Sequence, residues 1–136
     1  MNNIPRGIRN NNPGNIRYDG TRWLGLAAPP TDGSFCRFAD AKHGIRALAA
    51  ILKNYDKKHG LNTVAQIIGR WAPPNENDTR SYIAAVSAAL GHNANDALNV
   101  SDKNILLCLC KAIIRHENGK CPYTDADILS GIDVCS

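Results

Sequence analysis

ILLCLCKAIIRHENG, residues 105–119, is the stretch whose reading decides the fold. Residues 105–110 and 112–114 are apolar on nearly every side, which predicts a central, enclosed helix rather than a surface one. Ser101 can open this helix, and Gly119 stands where a left-handed C-terminal residue belongs. Glu117 then falls in the last turn. Apolar neighbours and the partially negative helix end both favour a neutral, proton-donating carboxyl group, while Arg115 and His116 act against it. In an arbitrary protein, a glutamate so placed is more often solvated or bonded to the next loop, so position alone leaves both readings open.

Composition makes this residue conspicuous. The chain of 136 residues has only two glutamates, Glu117 and Glu76, among twelve acids. Glu76 lies in PPNENDTRSYIAAV, just before another helical pattern. The aspartates fall mostly in turns and caps.

Outward from the central stretch, the pattern is helical back to residue 40. Asp40 can cap a helix running through Ile45, Leu48, Ile51, Leu52 and Tyr55 to Gly60, with Lys57, Lys58 and His59 at its end. A shorter helix from Thr63 to about Trp71 is stopped by Pro73-Pro74. Asp78 or Asn77 can cap a third, with Tyr82, Ile83, Val86 and Leu90 as its apolar set and Gly91 as its stop. Thr124 caps a last short helix, TDADILSGI. The first forty residues differ, being rich in Gly, Pro and Asn. There IRY, TRWLGL and SFCRF read as short strands separated by DG, PP and DG turns. These patterns predict one α+β, mainly α domain over residues 1–136, with a small N-terminal β region and about five helices.

The net charge is +4, with 43% hydrophobic and 21% charged residues. Arg6, Arg9, Arg17 and Arg22 crowd near the start, suiting either an anionic partner or an ordinary basic surface. No zinc-finger, helix-turn-helix or aromatic-basic signature accompanies them, which argues against nucleic acid. The polar start MNNIPRGIRNN and the lack of a long apolar run lead us to expect neither a secretory signal nor a membrane anchor. Five cysteines show no zinc-site spacing. Cys108 and Cys110 are expected to be small core residues, and Cys121 and Cys135 could close a disulfide in an oxidising compartment.

Four motifs, in order, carry a family resemblance: RNNNPGNIR, FADAKHGIRA, RWAPPNENDTRSYI and IIRHENGKCPY. With them, nearly all of residues 6–132 resembles the muramidase domains of bacteriophages and of type VI secretion effectors, within the lysozyme superfamily. DTRSYIAAV (78–86) also resembles the E-T-R-x-Y-V-x-x-V motif that lines the sugar groove of lytic transglycosylases, with Asp78 in place of the motif glutamate. In the superfamily the catalytic glutamate ends a helix and the β region follows. Here no glutamate precedes the asparagine-rich turn. From this departure we infer a circularly permuted arrangement, separate from the resemblance itself, in which Glu117 reaches the turn at 12–15 from the C-terminal side.

The resemblance implies cleavage of the β-1,4 bond between N-acetylmuramic acid and N-acetylglucosamine in peptidoglycan, by hydrolysis or by a lytic transglycosylase route. Glu117 would be the general acid and Glu76 the leading second carboxylate, with Asp78 and Asp19 behind it. Asn12, Asn15, Tyr18, Asp19, Asp78 and Tyr82 are the expected substrate-binding residues. Consecutive asparagines offer donors and acceptors to N-acetyl and hydroxyl groups. Tyr18 and Trp23 suit either sugar stacking or a core, whereas Trp71 suits the core better. No metal or organic cofactor is implied. The expected setting is a monomer acting in the bacterial periplasm or cell wall after delivery by a phage particle or secretion machine, with an inhibitor or immunity protein as a conceivable partner. One rival is a non-catalytic cell-wall-binding or virion structural module. Another makes Glu76 the principal acid.

Overall fold

The computed structural model describes residues 4–75 and 77–135. Helix α1 (Arg6–Arg9) is followed by strands β1 (Leu26–Thr31) and β2 (Cys36–Phe38). Helices α2 (Ala41–His59), α3 (Val64–Trp71), α4 (Thr79–Leu90), α5 (Lys103–Asn118) and α6 (Asp125–Cys135) complete the chain. The class is α+β and mainly α, as the patterning predicts.

The helix boundaries follow from local chemistry. Asp40 accepts the His43 N–H at the start of α2, and Gly60 ends that helix at φ 65°. Thr63 and Gln66 form a reciprocal capping box on α3. Asp78 caps α4, with Gly91 closing it at φ 70°. On α5 the cap is Asp102, one residue beyond the expected Ser101, because its carboxylate accepts from Asn104 N and Ile105 N. Helix α1, a single turn, carries no periodic apolar signal and was not expected.

The β region departs further from expectation. Its two strands pair antiparallel, Leu26 opposite Phe38 and Thr31 opposite Cys36. Pro29 and Pro30, read as a turn, lie inside β1. In a two-stranded ribbon both strands are edges, so missing N–H donors are tolerated. Of TRWLGL only Leu26 is in a strand, and IRY contributes only a bridge between Arg17 and Phe35.

Two apolar clusters hold these elements together. The larger joins Leu48 and Leu52 of α2, Ile67 and Ile68 of α3, Val86 of α4, Leu109 and Ile113 of α5, and Ile128 of α6, all fully buried. Each such side chain contributes about 1.5–3 kcal/mol by leaving water. The smaller cluster packs Ile16, Cys36 and Phe38 from the β region against Ala47 of α2. Trp71 packs against both. Helix α5 is not enclosed on every side: Asn104, Cys108 and Arg115 form an exposed stripe. Cys108 is therefore a surface residue, contrary to its expected core place, while Cys110 is buried. The proposed Cys121–Cys135 pairing lies outside the description, since the Cys135 side chain is not among the described residues.

Asp32, at the tip of the ribbon, ties it to the N-terminal turn. Its carboxylate takes Arg6 Nε at 2.6 Å and Asn10 Nδ2 at 2.9 Å, together with Ser34 N and Phe35 N. On the other side, a Cβ at Gly44 of α2 would overlap the Asn11 carbonyl oxygen, so only glycine lets the helix approach the turn this closely.

Two expectations follow. Gly44→Ala should destabilise the protein by at least about 1–3 kcal/mol through overpacking, whereas Gly69→Ala in α3, with open space around its Cβ, should stabilise it by about 0.4–1 kcal/mol; denaturant midpoints of the two variants give opposite signs. The Arg6 guanidinium and the neighbouring donors hold the Asp32 carboxyl well below its usual 3.8. Its contribution is complete above that unfolded value and is lost as pH falls below it toward the depressed folded value. Thermal midpoints recorded on lowering pH below 3.8 should therefore fall less steeply for Asp32→Asn than for the native chain.

Candidate active site

The last turn of α5 delivers two adjacent polar side chains to the asparagine-rich turn at the other end of the chain. Asn118, buried, donates from Nδ2 to Pro13 O at 2.8 Å and to Ile114 O at 2.9 Å. Glu117, half-buried, accepts Asn15 Nδ2 on Oε1 at 3.0 Å and the Tyr82 hydroxyl on Oε2 at 2.8 Å. Residue 117 and the 12–15 turn thus meet directly, across 102 positions of sequence.

Each donor is itself held. Asn15 adopts φ 52°, a left-handed conformation that asparagine tolerates better than most residues. Its Oδ1 and that of Asn118 find no hydrogen-bond partner. Both lie against Gly7, 2.7 and 2.6 Å from the place a Cβ would occupy there. Tyr82 is 1% exposed on α4, and its ring stacks on His116 with centroids 3.7 Å apart. Burial, then the Glu117 charge and hydrogen bond, push the Tyr82 phenol far above its ordinary range; Trp71 opposes this. The phenol therefore keeps its proton and donates a hydrogen bond to Glu117.

Glu117 opens onto a cleft of about 420 Å³ whose lining includes Asn15, Arg17, Phe35, Tyr55, Arg70, Trp71 and Asn77. The β region and turn supply some of these, and helices α2 and α3 others. Among the described residues of this lining, Glu117 is the only acid. A larger and more open depression of about 820 Å³ runs along α4 past Arg80, Ser87 and His92. Among the described residues of its lining there is no carboxylate. No group of three or more His, Cys, Asp or Glu placed to hold a metal ion occurs among the described residues. No described helix is long and apolar enough to cross a membrane.

The expected site residues therefore separate. Asn15, Tyr82 and Glu117 come together. Tyr82 is corrected in role, because its buried hydroxyl is committed to Glu117 and is not presented to a ligand. Asn12 is likewise corrected: fully buried, it donates to Ile16 O and Cys36 O and accepts from Ile16 N, spending its amide on the fold. Tyr18 is 39% exposed and outside the cleft lining. Asp19 accepts Thr21 N in a surface turn. Asp78 spends its oxygens on Ser81 at the start of α4. Glu76 lies outside the described residues. Trp23 packs on the smaller core cluster, and Trp71 divides between core and cleft. Sequence reasoning missed Arg70, Tyr55 and Phe35 as lining residues, and Asn118 and Gly7 as supports. Only Asn118 had a signal, as a polar residue following Glu117 in the apolar helix.

Fold and site together define a mainly helical α+β protein with a clamped carboxylate at the wall of an aromatic cleft. No protein-family model matches the chain. It is 40% identical over 136 residues to "Protein P5" of Pseudoalteromonas phage PM2, a match covering 98% of this chain and 83% of that protein. The chain belongs to the family of that phage protein.

The clamp makes a direct expectation. Tyr82→Phe removes a buried donor to a carboxylate and should cost about 1.5–3 kcal/mol in chemical denaturation, with the far-ultraviolet circular dichroism spectrum unchanged.

Proposed function

We propose that the protein cleaves peptidoglycan glycan strands as a lysozyme-like muramidase with Glu117 as general acid. The observation that carries this reading is the junction of Glu117, Asn15 and Tyr82 at a cleft of about 420 Å³ with Phe35, Tyr55 and Trp71 in its lining. Aromatic faces suit sugar rings, and the lining sets them beside one carboxyl group that could serve as the acid. The turn and the end of the apolar helix adjoin in the way a permuted lysozyme-like order requires. A phage relative agrees with delivery to the cell wall by a virus particle.

In this mechanism Glu117 protonates the glycosidic oxygen as the bond breaks toward an oxocarbenium-like transition state. Asn15 and Tyr82 fix the carboxyl rotamer, so the proton is presented in one direction. Water, activated by a second carboxylate, then attacks the sugar; Glu76, the one other glutamate of the sequence, is the leading candidate. Without such a carboxylate, the substrate's own hydroxyl closes on the sugar and an anhydro product leaves, as in lytic transglycosylases.

A second reading has its own support: both Glu117 oxygens are occupied by protein donors, as in a structural carboxylate. In that case the protein is a cell-wall-binding or virion module without catalysis. The two readings separate on incubation of the purified protein with peptidoglycan. Soluble muropeptides should be released by the native chain, and Glu117→Gln should lower the rate by about 10²–10⁴-fold while the protein stays folded. Undiminished release by Glu117→Gln, or loss confined to Glu76→Gln, would remove Glu117 from the acid's role. Mass spectrometry of the product termini distinguishes hydrolysis from transglycosylation.

A further inference from the structure

We propose that Arg70 forms a subsite for a carboxylate group borne by the glycan, so that the cleft selects acidic strands over neutral ones. This rests on the glycan-cleaving function proposed above. Arg70 lies in the last turn of α3, exposed, and lines the cleft together with Tyr55, Trp71 and Glu117. Its guanidinium stands 5.9 Å from the Tyr55 ring centroid, close enough for the ring to orient it. Among the described residues no carboxylate pairs with Arg70. Glu117 does not serve, since its oxygens accept from Asn15 and Tyr82.

A cation set 5.9 Å from an aromatic ring in a cleft lining, with no carboxylate paired to it among the described residues, is complementary to a negatively charged substituent on the sugar. A planar guanidinium matches a carboxylate in two parallel hydrogen bonds, which an ammonium cannot reproduce. Chitin, of the same linkage and ring size, offers no such group. Peptidoglycan offers carboxylates from two sources: its stem peptides, and the lactyl group of muramic acid wherever the peptide is absent.

The test compares native protein, Arg70→Gln and Arg70→Lys on intact peptidoglycan and on peptidoglycan stripped of stems by an amidase. Each substrate is used before and after its carboxylates are converted to neutral methylamides. Because Arg70 is exposed, both variants should fold, which circular dichroism checks. For the native protein, neutralising the substrate should lower kcat/KM by roughly tenfold or more, mainly through KM, an effect of the size of one charged hydrogen-bonded contact. Arg70→Gln should cleave the charged and neutral forms alike, with Arg70→Lys between. Loss on amidating the stripped strands assigns the lactyl carboxylate; loss confined to intact strands assigns the stem. Equal cleavage of charged and neutral substrates by the native protein, or an unchanged preference in Arg70→Gln, overturns the subsite and leaves the muramidase reading standing. Failure of the native protein to cut any of the four substrates removes both.

Discussion

The structure depends on a polar junction between the end of α5 and the turn that precedes the β ribbon. Asn118 binds the Pro13 carbonyl and Glu117 binds the Asn15 amide, so neighbouring residues on one helix grip neighbouring residues on one turn. A buried amide or carboxylate without its partner costs about 1–3 kcal/mol or more, so separating the two segments is penalised twice. The apolar clusters bring the helices together, but this junction sets where the β region sits on them. It also places a carboxylate at the boundary between the two clusters, where the cleft opens.

Around that junction, the wall of the cleft is built to stay in place. Gly44 allows α2 to touch the Asn11 carbonyl, and Gly7 lets two asparagine oxygens crowd against α1. Asn10, Asn11 and Asn12 bond to Asp32, Phe38 O and Cys36 O, stitching the turn to the ribbon. For the general-acid role proposed for Glu117 such restraint matters, because a proton donor's efficiency depends on orientation held in advance. Trp71, in contact with both clusters, extends the same rigid frame to the far lining.

Much of this was legible from residues. Capping signals at Asp40, Thr63, Asp78 and Thr124, with glycine stops at 60, 91 and 119, located five helices because each signal acts within one turn. The pairing of Glu117 with the asparagine-rich turn was legible from the rarity of glutamate and the motif order. The roles of the asparagines were not. A run such as NNNPGN shows that polar amides are abundant; which of them turn inward depends on the ribbon that folds over them. Asn12 thus became a buried brace and Asn15 a donor to the acid, although their letters are identical. Arg70 and Tyr55 escaped notice because a basic or aromatic residue in an amphipathic helix has no local mark of the cavity it borders. The Pro29-Pro30 strand was missed because the ribbon has no interior strand to forbid proline.

The left-handed backbone at Asn15 narrows what evolution can place there. Glycine would keep the bend yet abandon the amide that reaches the acid. Aspartate would keep the shape, but would set two carboxylates face to face and force them to share a proton. Larger side chains with a Cβ branch would resist the dihedral itself. Position 15 is thereby restricted by two unrelated demands at once, one from chain geometry and one from charge.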